Sequence, residues 1–353
     1  MNHAFWKGRR VFVTGHTGFK GSWLALLLQV LGADVHGLAL PASTSPALFT
    51  DADVANGMHS RFGDIRSLDT LQRALLDAQP EIVLHLAAQA IVSESFDRPL
   101  DTLHTNIIGT ANLLESVRGV AGVKAVVIVT SDKCYENNEA TQAYREDQPL
   151  GGNDPYSASK ACTELVTASW RYSFFDRTEH PIIATARAGN VIGGGDWSRD
   201  RLIPDMIRAF VRGAPALLRN PDAVRPWQHV LEPLCGYLQV AERCASSPDF
   251  GQAWNFGPDH TDTKPVREIA DMLAGYWGDG ARWEQQCHNP VKEARTLKLD
   301  SSKAQTLLPW RPVTDIAEGL RLTAQWYKGY AARRNVRDMT EQQIRELLAR
   351  NQA

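Results

Sequence analysis

Short apolar runs alternate with longer amphipathic stretches over roughly the first half of the chain. The apolar runs predict strands at Val11–Thr14, Ala33–Leu38, Glu81–Ala87, Ala125–Thr130 and Pro181–Ala186. The amphipathic stretches predict helices at Ser22–Leu31, Ser67–Ala78, Leu100–Val117 and Tyr156–Tyr172. This alternation is typical of an α/β protein with a doubly wound parallel sheet and right-handed crossovers. Ligands are then expected beyond the carboxyl ends of the strands.

The hydrophobic pattern becomes less regular after Asn190, and shorter elements follow. We predict that residues 1–188 form the first lobe and that residues 189–353 form a smaller mixed α/β lobe that binds substrate. A predicted helix and strand within about 229–256 return to the first lobe. The polar segment 332–353 is predicted to be a terminal appendage.

Composition excludes several classes of partner. The chain has 353 residues, 43% of them apolar and 22% charged, with a formal net charge of −2. This balance gives no reason to expect a nucleic-acid or membrane partner. No apolar run approaches the ~20 residues needed to cross a bilayer, and no signal-peptide pattern precedes the first strand. Five cysteines without metal-binding spacing favour the cytoplasm and predict no metal.

Gly15, Gly18 and Gly21 lie between the first predicted strand and the first predicted helix. Glycines at such a turn allow the backbone to approach a pyrophosphate, which then sits at the helix N-terminus. A G-x-x-G-x-x-G turn alone also forms for packing reasons. Its position at the start of a strand–helix series favours a dinucleotide and a Rossmann-like first lobe.

Two short segments carry candidate chemistry. Tyr156 and Lys160 are four residues apart on a predicted helix and therefore lie on one face of it. An ammonium near a phenol favours the ionised phenol, which is a base for alcohol oxidation. The segment 131–133, Ser-Asp-Lys, follows the buried strand 125–130, so its side chains are expected at the ligand-binding edge of the sheet.

These motifs resemble the extended short-chain dehydrogenase/reductase family. The resemblance rests on the glycine-rich turn and on the segments 64–65, 85–89, 106–110 and 156–160. Further segments resemble the branch of that family that dehydrates CDP-glucose, namely 130–135, 187–197, 225–234, 254–258 and 297–300. The resemblance implies an enzyme that contains NAD and regenerates it. The sugar is oxidised at carbon 4, loses water across carbons 5 and 6, and receives the hydride back at carbon 6.

The resemblance also implies catalytic roles. Tyr156 takes the proton of the carbon-4 hydroxyl, and Ser131 hydrogen-bonds the same hydroxyl. Lys160 lowers the pKa of the phenol and binds the nicotinamide ribose. Asp132 is the acid that protonates the departing carbon-6 hydroxyl, so burial must raise its pKa. The alternative for Asp132 is a turn residue or an ion pair with Lys133.

Lys133 departs from the dTDP-glucose dehydratases, in which the corresponding residue is the Glu that removes the carbon-5 proton. A neutral Lys133 amine is one candidate base, if nearby cations depress its pKa. A charged Lys133 that stabilises the enolate is the other. The sequence leaves both open.

A further set of residues is expected at the cofactor. It comprises Gly15, Thr17, Gly18, Phe19, Gly21, Asp64, Ile65, Leu86, Ala87, Ala88 and Asn106, together with Tyr156 and Lys160. The second strand is followed by neither the acid that usually holds an adenine ribose nor an Arg for a 2′-phosphate. NAD is therefore assigned from the resemblance, with Asp64 accepting from the adenine amine or, alternatively, starting a helix.

The substrate side needs cations for a nucleotide diphosphate. The candidates for the diphosphate are Arg187, Asn190, Arg219 and Arg225, while Gln89 is expected to line the sugar pocket and Glu293 to contact a ribose. Arginine offers bidentate geometry to phosphate, although a surface ion pair is the alternative for each. Ser93 stands where the CDP-glucose branch carries an Arg, which bears on the sugar and nucleotide bound.

The leading hypothesis is a nucleotide-sugar 4,6-dehydratase acting on CDP-glucose. A 4-epimerase of the same fold needs no elimination acid, so Asp132 and Lys133 argue against it. A non-catalytic nucleotide-sensing protein commonly lacks Tyr156 or Lys160, and this chain keeps both. We also predict a homodimer, because the helices that start near Leu100 and Tyr156 are apolar beyond one face and family members pair such helices into a four-helix bundle.

Overall fold

The computed structural model describes residues 1–137, 142–175, 181–259, 262–286, 297–308 and 310–351. The strands are β1 Arg10–Thr14, β2 Asp34–Ala39, β3 His59–Phe62, β4 Ile82–His85, β5 Ala125–Val129, β6 Ile182–Ala188, β7 Asn190–Ile192, β8 Ala216–Leu218, β9 Val224–His229, β10 Ala253–Phe256, β11 Thr263–Pro265 and β12 Trp283–Gln285. The α-helices are α1 His3–Trp6, α2 Phe19–Val30, α3 Leu48–Asp51, α4 Leu68–Ala78, α5 Val92–Asp97, α6 Pro99–Leu103, α7 Gly109–Arg118, α8 Pro155–Phe174, α9 Leu202–Val211, α10 Leu231–Cys244, α11 Val266–Trp277, α12 Ser302–Leu307, α13 Ile316–Ala331 and α14 Val336–Arg350.

Seven parallel strands form the main sheet, in the order β10-β6-β5-β4-β1-β2-β3. Buried apolar side chains cover both of its faces, as expected for a parallel sheet between helices. The doubly wound α/β prediction is confirmed. The strand order reverses between β1 and β4, and this switch point is where such sheets bind ligands.

Strand β3 was missed by the sequence analysis. It is an edge strand, and only Ser60 among its four residues is less than exposed. An edge strand open to solvent does not need the apolar run by which the buried strands were identified. Strand β10 pairs with β6 at the opposite edge, so residues 253–256 belong to the main sheet. Two smaller sheets combine β7, β9 and β11, and β8 and β12.

The helix predicted over Leu100–Val117 is interrupted. Helix α6 passes into one π-helical segment, His104–Ile108, before α7 begins at Gly109. A π segment often marks a functional position, because the extra residue redirects the side chains around it. Asn106 lies in this segment and is buried.

The prediction of a C-terminal appendage is wrong. Helix α14 packs against α2 and α13 and buries Ile344 and Leu347. The Arg337 guanidinium donates to Gln29 Oε1 in α2 at 2.6 Å. The segment is polar because its outer face is solvated, while an inner stripe belongs to the core. No helix in the described residues is long and apolar enough to cross a membrane.

Candidate functional site

The glycine-rich turn lies at the switch point of the sheet. Gly15 has φ +77°, and a Cβ atom there would lie 2.7 Å from the Ala87 nitrogen at the end of β4. The Thr14 hydroxyl accepts from this Ala87 N–H at 3.2 Å. Any residue with a side chain at position 15 would therefore push β1 away from the segment after β4. Glycine at this position lets the two predicted cofactor segments lie against each other.

The first turn of α2 is suited to an anion. Gly18 is its N-cap, no side chain caps it, and no acidic residue lies in the turn. A Cβ on Gly18 would meet only Gly15 O, at 3.5 Å, whereas one on Gly21 would overlap that oxygen. Uncapped N–H groups at the positive end of a 12-residue helix fit a pyrophosphate. The Thr17 hydroxyl donates to Leu40 O at 2.8 Å and fixes the turn against β2.

The residues predicted at the adenine have local partners. Asp64 accepts from the Arg66 guanidinium at 2.6 Å and from its backbone N–H at 2.9 Å. Hydrogen bonds from Arg66 lower the pKa of this carboxyl. Ser67, not Asp64, caps helix α4. Ile65 is buried against Gly109, where an added Cβ would lie 2.5 Å from its Cδ1 atom.

Asn106 positions two other parts of the site. Its Oδ1 atom accepts from the Gln89 N–H at 2.8 Å, and its Nδ2 donates to Gln89 O at 3.0 Å and to Ser159 Oγ at 2.8 Å. The π segment thus connects the loop after β4 to the first turn of α8. The Gln89 Oε1 atom is buried and has no hydrogen-bond partner among the described residues, which leaves an acceptor for a ligand.

Helix α8 begins at Pro155, one residue before the predicted start at Tyr156. Asp154 is its N-cap and accepts from the Ser157 N–H at 2.9 Å, and Pro155 occupies the first position. Tyr156 and Lys160 are consequently buried on one face, next to the end of β5. The Lys160 ammonium donates to Val129 O at 3.4 Å.

The pKa of Tyr156 is opposite to the expectation. Burial raises it to about 12, although a hydrogen bond with Ser131 and the charge of Arg201 lower it. Burial also lowers the pKa of Lys160 to about 8. The spacing places both residues on one face of α8, but the groups that shift the pKa of Tyr156 are Ser131, Arg201, Asp132 and Asp154 rather than Lys160, and desolvation outweighs them.

Asp132 lies in the position expected of an acid. It is 3% exposed, and burial raises its pKa against the opposing charge of Lys133. The Ser131 hydroxyl donates to its Oδ1 atom at 2.9 Å. A Cβ on Gly189 would lie 3.0 Å from its Oδ2 atom, so the carboxyl faces the segment after β6. The predicted rise in pKa is confirmed, and Lys133 follows in the same 3₁₀ turn.

Two cations at this site were missed by the sequence analysis. The Lys20 ammonium donates to Tyr237 OH at 2.9 Å, and burial together with the charges of Arg201 and Lys160 lowers its pKa to about 7. Arg201 pairs with Asp196 at 3.5 Å. Lys20 was not predicted because it occupies one of the positions of the glycine-rich turn where the motif specifies no residue. Arg201 was not predicted because it lies in an irregular loop that has no hydrophobic periodicity.

The comparisons agree with this geometry. Residues 11–257 match the model of the NAD dependent epimerase/dehydratase family. The chain belongs to this family. It is 49% identical over 331 residues to the CDP-glucose 4,6-dehydratase of Salmonella typhimurium, covering 92% of each chain. It is 27% identical to the UDP-glucose 4-epimerase of Mycolicibacterium smegmatis, covering 90% of this chain and 98% of that one.

A solved structure extends the likeness to the fold. DesIV, a dTDP-glucose 4,6-dehydratase from Streptomyces venezuelae with NAD and TYD bound, superposes with a TM-score of 0.77 and 25% identity. The alignment covers 92% of this chain and 98% of that one. As a member of the family, the protein is NAD-dependent, and its glycine-rich turn has the form that this cofactor requires.

One predicted substrate residue of this family member is corrected. Arg187 is 3% exposed, and its guanidinium donates to both carboxylate oxygens of Glu164 at 2.9 Å and to Tyr135 OH at 2.7 Å. It also donates to Glu146 O. A guanidinium that is buried and committed in this way is not a diphosphate ligand. The position of Arg187 within a buried strand could have indicated from the sequence that its charge is paired inside the protein.

The remaining predicted substrate residues lie around the second sheet. Asn190 pairs with Trp227 across β7 and β9. The positive charge of Arg225 partly opposes the burial that raises the pKa of Asp132. Arg219 donates to Asp200 O at 3.1 Å. The Asp200 carboxylate also accepts from Ser93 Oγ at 2.8 Å, so Ser93 faces the loop that carries Arg201. Glu293 lies outside the described residues.

Proposed function

We propose that this protein is a nucleotide-sugar 4,6-dehydratase that converts CDP-glucose to CDP-4-keto-6-deoxyglucose. The observation that carries the proposal is the buried Asp132, whose raised pKa keeps a proton available next to Tyr156. A 4-epimerase removes and returns a hydride but has no leaving hydroxyl to protonate. The 49% identity to a CDP-glucose 4,6-dehydratase supports the same choice.

The site fits NAD in two respects. The N-terminus of α2 has no side-chain cap that would compete with a pyrophosphate, and Asn106 connects the loop after β4 to Ser159, whose hydroxyl donates to the Tyr156 carbonyl. When bound there, NAD supplies a hydride acceptor during oxidation and a hydride donor during the final reduction. Lys160, which is buried one helical turn after Tyr156, would bind and orient the nicotinamide ribose.

The chain's own groups carry the proton transfers. Tyr156, hydrogen-bonded to Ser131, would accept the proton of the carbon-4 hydroxyl as its phenolate while carbon 4 becomes a ketone. Because burial raises the pKa of this phenol, ionisation would need the positive charge of the bound oxidised cofactor. The ketone acidifies the carbon-5 proton, and Lys133, which follows Asp132 in the same 3₁₀ turn, would take this proton or stabilise the enolate. Asp132 then gives its proton to the carbon-6 hydroxyl, which leaves as water when the carbon 5–carbon 6 double bond forms.

A substrate panel tests the function. The protein is incubated with NAD and separately with CDP-, dTDP-, UDP- and GDP-glucose, and the alkaline absorbance of a 4-keto-6-deoxy sugar is followed. We expect product with CDP-glucose and far less with the other three. A C4 epimer without loss of water would establish the epimerase instead, and no reaction with any of the four would refute both enzymes.

Replacing Lys133 by Met separates elimination from oxidation. We expect steady-state dehydration to fall about 10²-fold, because either role stabilises charge that develops at carbon 5, while slow oxidation at carbon 4 persists. The measurement is solvent deuterium incorporation at carbon 5 alongside product formation. Wild-type exchange in Lys133→Met would exclude Lys133 as the base. Lys124→Met, a largely exposed lysine at the start of β5, is the matched control.

Arg201 is proposed to bind the substrate diphosphate, in place of the Arg that is replaced by Ser93. Its charge reaches Tyr156, and its guanidinium donates to Ala90 O at the edge of the Gln89 loop. We expect Arg201→Met to raise KM for CDP-glucose about 10- to 100-fold with a smaller change in kcat, because a charge-assisted bond is lost. Arg199→Met, an exposed neighbour, is the control. Equal KM values for the two variants would contradict this role.

A homodimer through α6–α8 is also proposed. An exposed apolar surface on these packed helices and on α5 comprises Phe96, Leu100, Ile108, Leu165 and Tyr172. Leu165→Glu is expected to give monomers in sedimentation velocity, because a carboxylate would be buried at the pairing face. Leu217→Glu, at an equally exposed leucine on β8, should leave the dimer intact. A wild-type monomer, or an unaffected Leu165→Glu dimer, would refute this surface.

A further inference from the structure

Asp34, His36 and His59 form a cluster at the β2–β3 edge of the main sheet. His36 and His59 are direct partners in the register of the two parallel strands, and Asp34 lies two residues before His36. Side chains two residues apart on a strand point to the same face. The three side chains therefore share one face, and their ligand atoms all lie within 4.8 Å of one another.

The distances within the cluster suit a small cation. The Asp34 carboxylate lies 3.4 Å from His36 Nε2 through one oxygen and 3.4 Å from His59 Nε2 through the other. Metal–ligand distances of about 2.0–2.1 Å in a tetrahedral zinc site place neighbouring ligand atoms about 3.3 Å apart. The imidazole rings stack with centroids 4.4 Å apart, so bringing the two Nε2 atoms together requires a modest tilt of His59, which is 67% exposed.

A second observation concerns the buried His36 Nε2 atom. Among the described residues it has no hydrogen-bond partner of good geometry, and its one close polar contact is the Asp34 carboxylate within the cluster, at 3.4 Å. The nearby cation Arg61 is paired with Asp77 at 2.6 Å and is therefore compensated. A cleft of about 350 Å³ opens beside the cluster, lined by β2, β3 and α4.

We propose that Asp34, His36 and His59 bind one divalent transition-metal cation of the Zn²⁺ class, with the fourth position open to water. Two imidazoles and one carboxylate favour zinc, cobalt, nickel or copper over magnesium and calcium. We expected no metal from the spacing of the cysteines. A search for metal-binding spacing along the sequence does not detect these ligands, because the pairing of two strands, and not a sequence motif, brings them together.

Binding would fasten the exposed edge strand β3 to β2. Ser60, the residue after His59, lies 2.7 Å through its Oγ atom from His16 Nε2 in the glycine-rich turn. The cation therefore supports the strand that backs the cofactor site, at the opposite end of β2 from Leu40. A ligand that binds only the folded state stabilises it by RT ln(1 + [L]/Kd), so the melting temperature rises with the concentration of the free cation.

Calorimetry on tag-free, chelator-stripped protein tests the proposal. We expect one equivalent of Zn²⁺ to bind and raise Tm by a few degrees, and Co²⁺ in its place to give the visible absorption of a protein-bound ion. His59→Ala and Asp34→Asn should each weaken binding more than about 100-fold, since even outer-shell partners of a metal are worth 10- to 100-fold. His104→Ala removes another exposed histidine, and it should leave the Zn²⁺ affinity and the Zn²⁺-induced rise in Tm unchanged.

Two results would overturn the metal site. One is the absence of saturable Zn²⁺ or Co²⁺ binding at micromolar concentrations. The other is binding by His59→Ala and Asp34→Asn with the wild-type affinity. Both readouts are independent of catalysis, so the metal site and the dehydratase proposal stand or fall separately.

Discussion

Tyr156→Phe is expected to lower kcat for CDP-glucose by about 10³-fold, within the 10²–10⁴ range of a positioned general base. The phenol is 8% exposed and next to Ser131, and phenylalanine fills the same space without the proton-accepting oxygen. The loss should be seen in single-turnover formation of the reduced cofactor as well as in product, because the role proposed for Tyr156 is in the first step. KM should change little.

Tyr276→Phe provides a matched control for the loss of a hydroxyl. Tyr276 lies on α11 and is 36% exposed, so the same substitution there should leave kcat unchanged. Cofactor reduction in Tyr156→Phe at the wild-type rate would remove Tyr156 from the oxidation step. The early step distinguishes this variant from Lys133→Met, in which oxidation is expected to persist.

Arg187→Met is expected to lower the free energy of unfolding by about 3–5 kcal/mol, the range seen when one partner of a buried ion pair is removed. Glu164 would remain 4% exposed with its charge uncompensated. Its remaining donors are the hydroxyls of Thr130 and Thr185, at 2.5 and 2.7 Å. Denaturant unfolding followed by tryptophan fluorescence measures the loss as a lower midpoint.

The double variant Glu164→Leu/Arg187→Met should recover part of that stability, because no buried charge is left unpaired. The KM for CDP-glucose of folded Arg187→Met is expected to be close to the wild-type value. A large rise in KM with unchanged stability would return Arg187 to the diphosphate site and contradict the structural role that its contacts indicate. Stability and KM therefore separate the two roles of one residue.

The stability of this region also depends on pH. Ion-pair hydrogen bonds from Arg187 lower the pKa of Glu164 in the folded state, despite burial. A carboxyl whose folded pKa lies below its unfolded value stabilises the protein above the unfolded pKa. That contribution is lost as pH falls through the folded pKa. The difference in unfolding free energy between the wild-type protein and Arg187→Met should therefore shrink as pH falls through the folded pKa of Glu164, because a protonated Glu164 no longer leaves a buried charge without its guanidinium partner.

Local sequence signals were sufficient for much of the fold. The buried strands β1, β4 and β5 are continuous apolar runs, because a parallel sheet covered on both faces needs apolar side chains on both. The glycine-rich turn and the Tyr156–Lys160 pair were visible because each depends on spacing within one element. Edge strand β3 and helix α14 were missed or misassigned because exposure hides the apolar pattern of an element that is only partly buried.

The sequence by itself predicted most strands of the main sheet, the glycine-rich turn and the candidate residues Ser131, Asp132, Tyr156 and Lys160, since local periodicity and short motifs indicate these. Only the tertiary structure decided which charged groups are already paired inside the protein and which can act on a ligand. It paired Arg187 with Glu164, brought Lys20 and Arg201 within electrostatic reach of Asp132 and Tyr156, and placed two histidines of different strands side by side. The reason is physical: burial and the partner across space determine the charge state of a side chain, and neither is written in the order of the residues.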